Sequence, residues 1–168
     1  FIEVAYLLIF GELPSADQLD KFEDEIRDYA LVDEDFKIIL KSFPKSAHPM
    51  GILSSLTSAL IAFNPSSVDI NSEKDFHEAI VMLLAKFPVL ASWTHRKMKG
   101  LPLNYPNYDL SYTENLAHMM FKMPNKDFKP SPTLVSALNK LLILHADHEQ
   151  NCSTSTVRMV GSSHAGLF

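Results

Sequence analysis

The chain is poor in features that mark several common protein classes. Cys152 is its one cysteine among 168 residues. No internal disulfide and no cysteine-built zinc site can be assembled from it, and a reducing compartment suits it. Glycine is scarce, at five residues, and no stretch carries strand-like alternation or a hairpin signal. No apolar run approaches the roughly 20 residues that span a bilayer. Lys and Arg number 15 against 20 Asp and Glu, a net charge of -5. That balance gives no reason to expect nucleic acid or an anionic membrane as a partner. The first ten residues include Glu3 and lack a basic leader, so no signal peptide is read there.

What is present is apolar and helical. Apolar residues make up 46% of the chain, enough for a one-domain length to bury a core. The opening stretch, Phe1 to Phe10, begins inside an apolar helical pattern without an initiator Met, and Gly166-Leu167-Phe168 closes on apolar residues. Natural termini are usually polar and frayed, so the chain is expected to be a piece of a longer polypeptide.

Helix punctuation recurs throughout. Gly11 suits a helix C′ position. Ser15 with Gln18 has capping-box spacing and opens a helix to about Ala30. Asp33 is expected to cap a short helix through Phe36, Ile39 and Leu40. Pro49 suits the first turn of a helix carrying Ile52, Leu53, Leu56, Leu60 and Ile61. Ser72 introduces a longer helix with Phe76, Ile80, Leu83 and Leu84 on one face, which Pro88 is expected to kink or split. Gly100 to Leu110, with two prolines and two asparagines, reads as irregular. Ser111 with Glu114 opens a helix carrying Leu116, Met119, Met120 and Met123. Ser131 with Pro132 opens another carrying Leu134, Leu138, Leu141, Leu142 and Leu144. These apolar positions are expected to be core. The fold class is all-α.

The chain becomes specific where that leucine-rich helix runs into His145-Ala146-Asp147-His148-Glu149-Gln150-Asn151-Cys152-Ser153-Thr154-Ser155-Thr156-Val157-Arg158. Buried polar groups of this density must find partners in protein, water or ligand. Three readings of the residues stand side by side. His145 and His148 lie a turn apart and suggest a metal site, but no third ligand is evident and the order differs from the zinc-protease pattern. The cluster can equally be a structural cap. It can also hold an anionic or carbonyl-bearing ligand, using the positive end of a helix starting near Ser153.

Leu144 to Arg158 resembles, almost letter for letter, a segment of bacterial citrate synthases, and Gly161-Ser162-Ser163 continues the likeness. Phe1 to Leu8, Gly11-Glu12-Leu13-Pro14, His48-Pro49-Met50, Asp109-Leu110-Ser111-Tyr112 and Met119-Met120-Phe121 resemble the same family in order. The resemblance covers essentially the whole chain. It implies a multi-helical citrate synthase large domain, partial here: residues 1–168 would be part of it, with the small domain and C-terminal part absent.

The resemblance further implies an acyltransferase. The family condenses acetyl-CoA with oxaloacetate to citrate and CoA at entry to the tricarboxylic acid cycle. It works as a dimer or dimer-based oligomer, with no metal and no bound redox cofactor. A cytoplasmic homo-oligomer is expected. His148 matches the family histidine that holds oxaloacetate; His145, Asn151 and Ser153 match neighbours that position it. The groups that abstract the proton, stabilise the enol and polarise the ketone match nothing before Phe168, so the chain alone is expected to be inactive. Cys152 replaces an alanine of the family block and is expected to be inert and buried.

His48, Met50 and Lys86 match positions of the NADH-inhibition site found in some bacterial members. Asn64, Met82 and Asn125 stand where those members have tyrosine, arginine and cysteine. Loss of an arginine removes the best phosphate-binding group, so NADH regulation is not expected, unless another cation such as Arg96 takes its place. Two rival functions remain: a 2-methylcitrate synthase, which shares the oxaloacetate site, and a helical interaction module without activity.

Overall fold

The computed structural model describes residues 1–64, 72–147 and 152–163. Among them are eight α-helices and no strand: α1 Ile2–Phe10, α2 Ala16–Asp28, α3 Phe36–Ser42, α4 Pro49–Phe63, α5 Glu73–Met98, α6 Tyr112–Phe121, α7 Pro132–Ala146 and α8 Cys152–Gly161. The all-α expectation holds.

Local chemistry sets most of these boundaries. Gly11 ends α1 in the left-handed region, at φ 82, and returns its N–H to the Leu7 carbonyl. Ser15 and Gln18 cap α2 reciprocally: the Ser15 N–H donates to Gln18 Oε1 at 2.8 Å, and the Gln18 N–H to Ser15 Oγ at 3.3 Å. At α6, Glu114 Oε2 accepts from the Ser111 N–H at 3.0 Å. Ser131 Oγ accepts from the Leu134 N–H and Pro132 occupies the first turn of α7. Asp33 acts one step earlier than expected: its Oδ1 accepts from the Asp35 N–H, an Asx-type turn ahead of α3 rather than its cap.

Helix α5 is the spine. Two apolar clusters form along it. Val81 and Ala85 pack with Ile2, Phe22 and Ile26 of α1 and α2. Val89, Leu90 and Trp93 pack with Phe36, Leu40, Ile52, Leu56, Leu60 and Met119 of α3, α4 and α6. The buried face of α5 runs through Ala79, Met82, Ala85 and Val89, whereas Phe76 is 41% exposed and Ile80, Leu83 and Leu84 are half-buried. By length and hydropathy α5 would qualify to cross a membrane. Its packing among α2, α4 and α6 makes it a core helix.

Of the kink or split expected at Pro88, the split does not occur: α5 is continuous from Glu73 to Met98. A proline inside a helix removes the N–H that would pair with the carbonyl four residues back, here Leu84. The Tyr112 hydroxyl of α6 donates to that carbonyl at 2.9 Å. An outside donor thus repairs the gap in the ladder.

The cations near the C-terminal end of α5 turn inward. Lys97 Nζ donates to the carbonyls of Leu40 and of Phe43, the latter at 2.9 Å, closing the end of α3. Arg96, with no exposed surface, donates from Nη1 to Met120 and Lys122 carbonyls at 3.0 and 2.9 Å, and from Nε to the Pro102 carbonyl. Asn104 Nδ2 joins it at the end of α6, donating to the Met119 and Lys122 carbonyls. Trp93 Nε1 holds the Asn104 carbonyl at 2.7 Å, and the Tyr105 ring meets Trp93 edge-on. The irregular segment Gly100 to Leu110 is thereby fastened to α5.

The leucines of α7 depart furthest from expectation. No residue of α7 is buried; Leu141 is 50% and Leu144 66% exposed. Against the described residues α7 meets mainly α6 and α1, which leaves part of its apolar circumference without cover.

Arg96→Lys should cost about 1–3 kcal/mol, because one ammonium cannot reach the carbonyls of Pro102, Met120 and Lys122 together. Urea unfolding followed by helical circular dichroism measures this; a midpoint equal to that of the parent protein would assign the guanidinium no structural role.

Candidate functional site

The polar block divides between two helix ends. Helix α7 runs to Ala146, and Asp147 leaves it in an extended conformation, φ −151 and ψ 125. Helix α8 begins at Cys152. His145 therefore sits in the last turn of α7 and Ser153 in the first turn of α8. His148 and Asn151, with Glu149 and Gln150 between them, lie outside the described residues.

His145 is exposed, and its Nδ1 lies 2.7 Å from the Leu141 carbonyl. A carbonyl only accepts, so Nδ1 carries the proton of that bond. Ser153 is also exposed, in the turn of α8 where backbone N–H groups lack intrahelical partners. That end carries positive partial charge and suits an anion. Cys152 is exposed rather than buried as expected, because α8 packs on little of the described chain: Val157, Met159 and Val160 are also exposed. Among the described residues no group of three His, Cys, Asp or Glu side chains is placed to hold a metal ion.

The second set of candidates is distributed along α4. His48 is the N-cap of α4, its Nδ1 accepting from the Met50 N–H at 3.2 Å; that nitrogen is committed to the helix. Met50 is exposed beside it. Asn64 stands at the other end of the 15-residue helix, about 22 Å away at 1.5 Å per residue. There Asn64 Nδ2 donates to the Leu60 carbonyl at 2.8 Å. Asn64 and Lys86 line one cleft of about 310 Å³ with Leu31, Asp33 and Phe63. The geometry thus brings Lys86 together with Asn64 and leaves His48 and Met50 at the far end of α4.

Lys86 is nearly buried, and Nζ donates to the Leu31 carbonyl. Met82, one turn earlier, is buried in the core, whereas Asn125 is exposed. Arg96 does not supply a replacement phosphate group, since all of it is buried; its Nε and Nη1 are turned to backbone carbonyls and its Nη2 makes no hydrogen bond.

Sequence reading assigned nothing to His118, in the last turn of α6, and Lys122, its C-cap. Both line a concavity of about 570 Å³ with Asn104, Asn107 and Asp109. Burial, with a smaller contribution from Lys122, holds the His118 imidazole below its ordinary pKa. The spacing of four between His118 and Lys122 beside the irregular segment was the available signal.

Burial also holds the Lys86 ammonium below the ordinary value of 10.5, with Asp33 opposing. Between the lowered native pKa and 10.5 the unfolded chain binds more protons than the native one. Stability should therefore rise with pH across that window. Lys86→Met should flatten the rise, read from urea midpoints taken at a series of alkaline pH values. An unaltered slope in the variant would place the titration elsewhere.

Known proteins share this helical arrangement. The family model described as "Citrate synthase, C-terminal domain" matches residues 1–168. The citrate synthase of Corynebacterium glutamicum is 51% identical over 168 residues, all of this chain and 38% of that protein. Citrate synthase 1 of Mycobacterium tuberculosis is 46% identical over the same span, which is 39% of its length. The crystal structure of citrate synthase from Pyrobaculum aerophilum superposes with a TM-score of 0.85 at 26% identity, covering 99% of this chain and 42% of that one. The enzyme from Thermotoga maritima gives 0.77 at 26% identity, covering 98% and 40%. The chain spans about two fifths of the length of these relatives. With a family match from end to end and half its residues identical to one curated member, the chain belongs to the citrate synthase family.

Proposed function

We propose that this chain is part of a citrate synthase. The enzyme condenses acetyl-CoA with oxaloacetate and hydrolyses the resulting thioester to citrate and CoA, at entry to the tricarboxylic acid cycle. The observation that carries the reading is 51% identity, over every residue of the chain, to a protein named citrate synthase.

This chain's share of the work is to hold oxaloacetate. His148 donates an imidazole N–H to a carboxylate or ketone oxygen, a directional bond suited to a small dianion. Ser153 and Asn151 offer polar groups at the positive start of α8, where a carboxylate is favoured. His145, tied through Nδ1 to its own helix, keeps the end of α7 in register with that turn. The proton-abstracting and enol-stabilising groups come from outside residues 1–168, and no metal or redox cofactor takes part.

The exposed apolar residues Leu141, Leu144, Val157, Met159 and Val160 support a larger assembly, in which more of the subunit and a second copy cover α7 and α8. A homo-oligomer in the cytoplasm is in keeping with this surface and with the single cysteine.

The full-length protein should release CoA from acetyl-CoA only when oxaloacetate is present. Faster turnover of propionyl-CoA would reassign it to 2-methylcitrate synthesis, and no turnover of either would favour an inactive interaction module. In that enzyme His148→Ala should weaken oxaloacetate about ten- to hundredfold, the worth of one hydrogen bond to a charged ligand. Acetyl-CoA affinity should change far less. Direct oxaloacetate titration of the folded variant decides; an unchanged Kd would make His148 a structural residue.

Regulation by NADH is absent in this reading. Lys86 is nearly buried with Nζ on the Leu31 carbonyl, and Met82 is apolar and buried, leaving the pyrophosphate without a guanidinium at that cleft. Initial rates should be flat across an NADH titration at low ionic strength. Inhibition that salt relieves and Lys86→Ala abolishes would contradict this.

A further inference from the structure

Three observations converge on one turn of α5. Pro88 deprives the Leu84 carbonyl of its N–H partner four residues on, and the Tyr112 hydroxyl donates to that carbonyl from 2.9 Å. The same turn is the seam between the two apolar clusters: Val81 and Ala85 belong to the cluster with α1 and α2, and Val89, Leu90 and Trp93 to the cluster with α3, α4 and α6. A cavity of about 40 Å³ lies at the seam, lined by Ile26 and Ala85 from one cluster, Val89 and Met119 from the other, and by Pro88 and Tyr112 themselves.

We infer that Leu84–Pro88 is a hinge between two packing units of this domain, and that the Tyr112 hydroxyl is the latch that holds it straight. A helix bends most readily where its ladder lacks a bond and where a side chain enters it. Pro88 is the one proline inside α5, so the ladder already lacks a bond at Leu84 and bending there has less to break. Each cluster stays intact on its own side, and the cavity lets apolar side chains shift without an immediate clash. The Tyr112 ring packs with the α1–α2 cluster while the rest of α6 packs Met119 into the other. The latch residue therefore spans the seam. Burial raises the phenol pKa above its ordinary value, so the hydroxyl stays protonated and able to donate throughout the neutral range.

The device makes local opening of α5 separable from global unfolding. Native-state amide exchange on the full-length protein tests it, comparing the parent, Tyr112→Phe, Pro88→Ala and the double variant. Tyr112→Phe should accelerate exchange roughly ten- to hundredfold in the turn around Leu84 to Leu90, the cost of leaving one buried acceptor unmet. The helices α3 and α4 should be unchanged. Pro88→Ala supplies the missing N–H, so in that background Tyr112→Phe should accelerate the same turn no more than about threefold. Equal acceleration in both backgrounds would show that the hydroxyl does not act through the proline gap. Uniform acceleration in every helix would make Tyr112 an ordinary core residue, and no acceleration would leave no latch; each of these overturns the inference.

Discussion

Everything in this domain leans on a helix that should be hard to bury. Helix α5 places Lys86, Arg96 and Lys97 along a segment that also forms both apolar clusters. A buried cation is costly unless its donors are matched. No carboxylate does the matching here. The partners are backbone carbonyls: Leu31 for Lys86, Leu40 and Phe43 for Lys97, and Pro102, Met120 and Lys122 for Arg96. Most of these carbonyls sit at the ends of α3 and α6, where the last residues of a helix lack intrahelical donors and carry negative partial charge. Two deficits cancel in one arrangement, and the ends of α3 and α6 are thereby fixed on α5.

This economy explains which parts of the fold were legible. Caps are local, and the pairs Ser15–Gln18 and Ser111–Glu114 and the dipeptide Ser131-Pro132 each need only three or four residues to be read correctly. The split entertained at Pro88 does not occur, because the local rule is incomplete. The missing donor arrives from Tyr112, 28 positions beyond Leu84, and no window along the chain contains both facts. The α7 leucines were misread for a different reason. Helical periodicity reports that a face is apolar, not what covers it, and here the described residues cover only part. Cys152 was expected to be buried because it stands in for a small alanine, and it is exposed because α8 packs on little of the described chain.

The candidate site was drawn from composition and then from resemblance. A leucine-rich helix ending in imidazoles, amides and hydroxyls announces polar work at a helix end, and the structure puts His145 and Ser153 on the two helix ends that flank it. Composition could not rank a cap above a ligand site, because both satisfy the same hydrogen-bonding demand. The candidates at His48, Met50 and Lys86 show the converse problem. Matching residues one by one leaves out distance, and α4 separates His48 from the Lys86 cleft by its whole length.

Helix-end charge is used in two opposite senses in this chain, and the difference bears on what each end can bind. At the C-terminal ends of α3 and α6, lysine and arginine from α5 already meet the negative carbonyls. Arg96 has no exposed surface from which to reach an anion, although its Nη2 makes no hydrogen bond. The N-terminal end of α8 has the reverse polarity and lies at an exposed surface, with Ser153 in its first turn. By placement rather than number of charges, the first turn of α8 is better suited to a negative group than the buried cations of the core are.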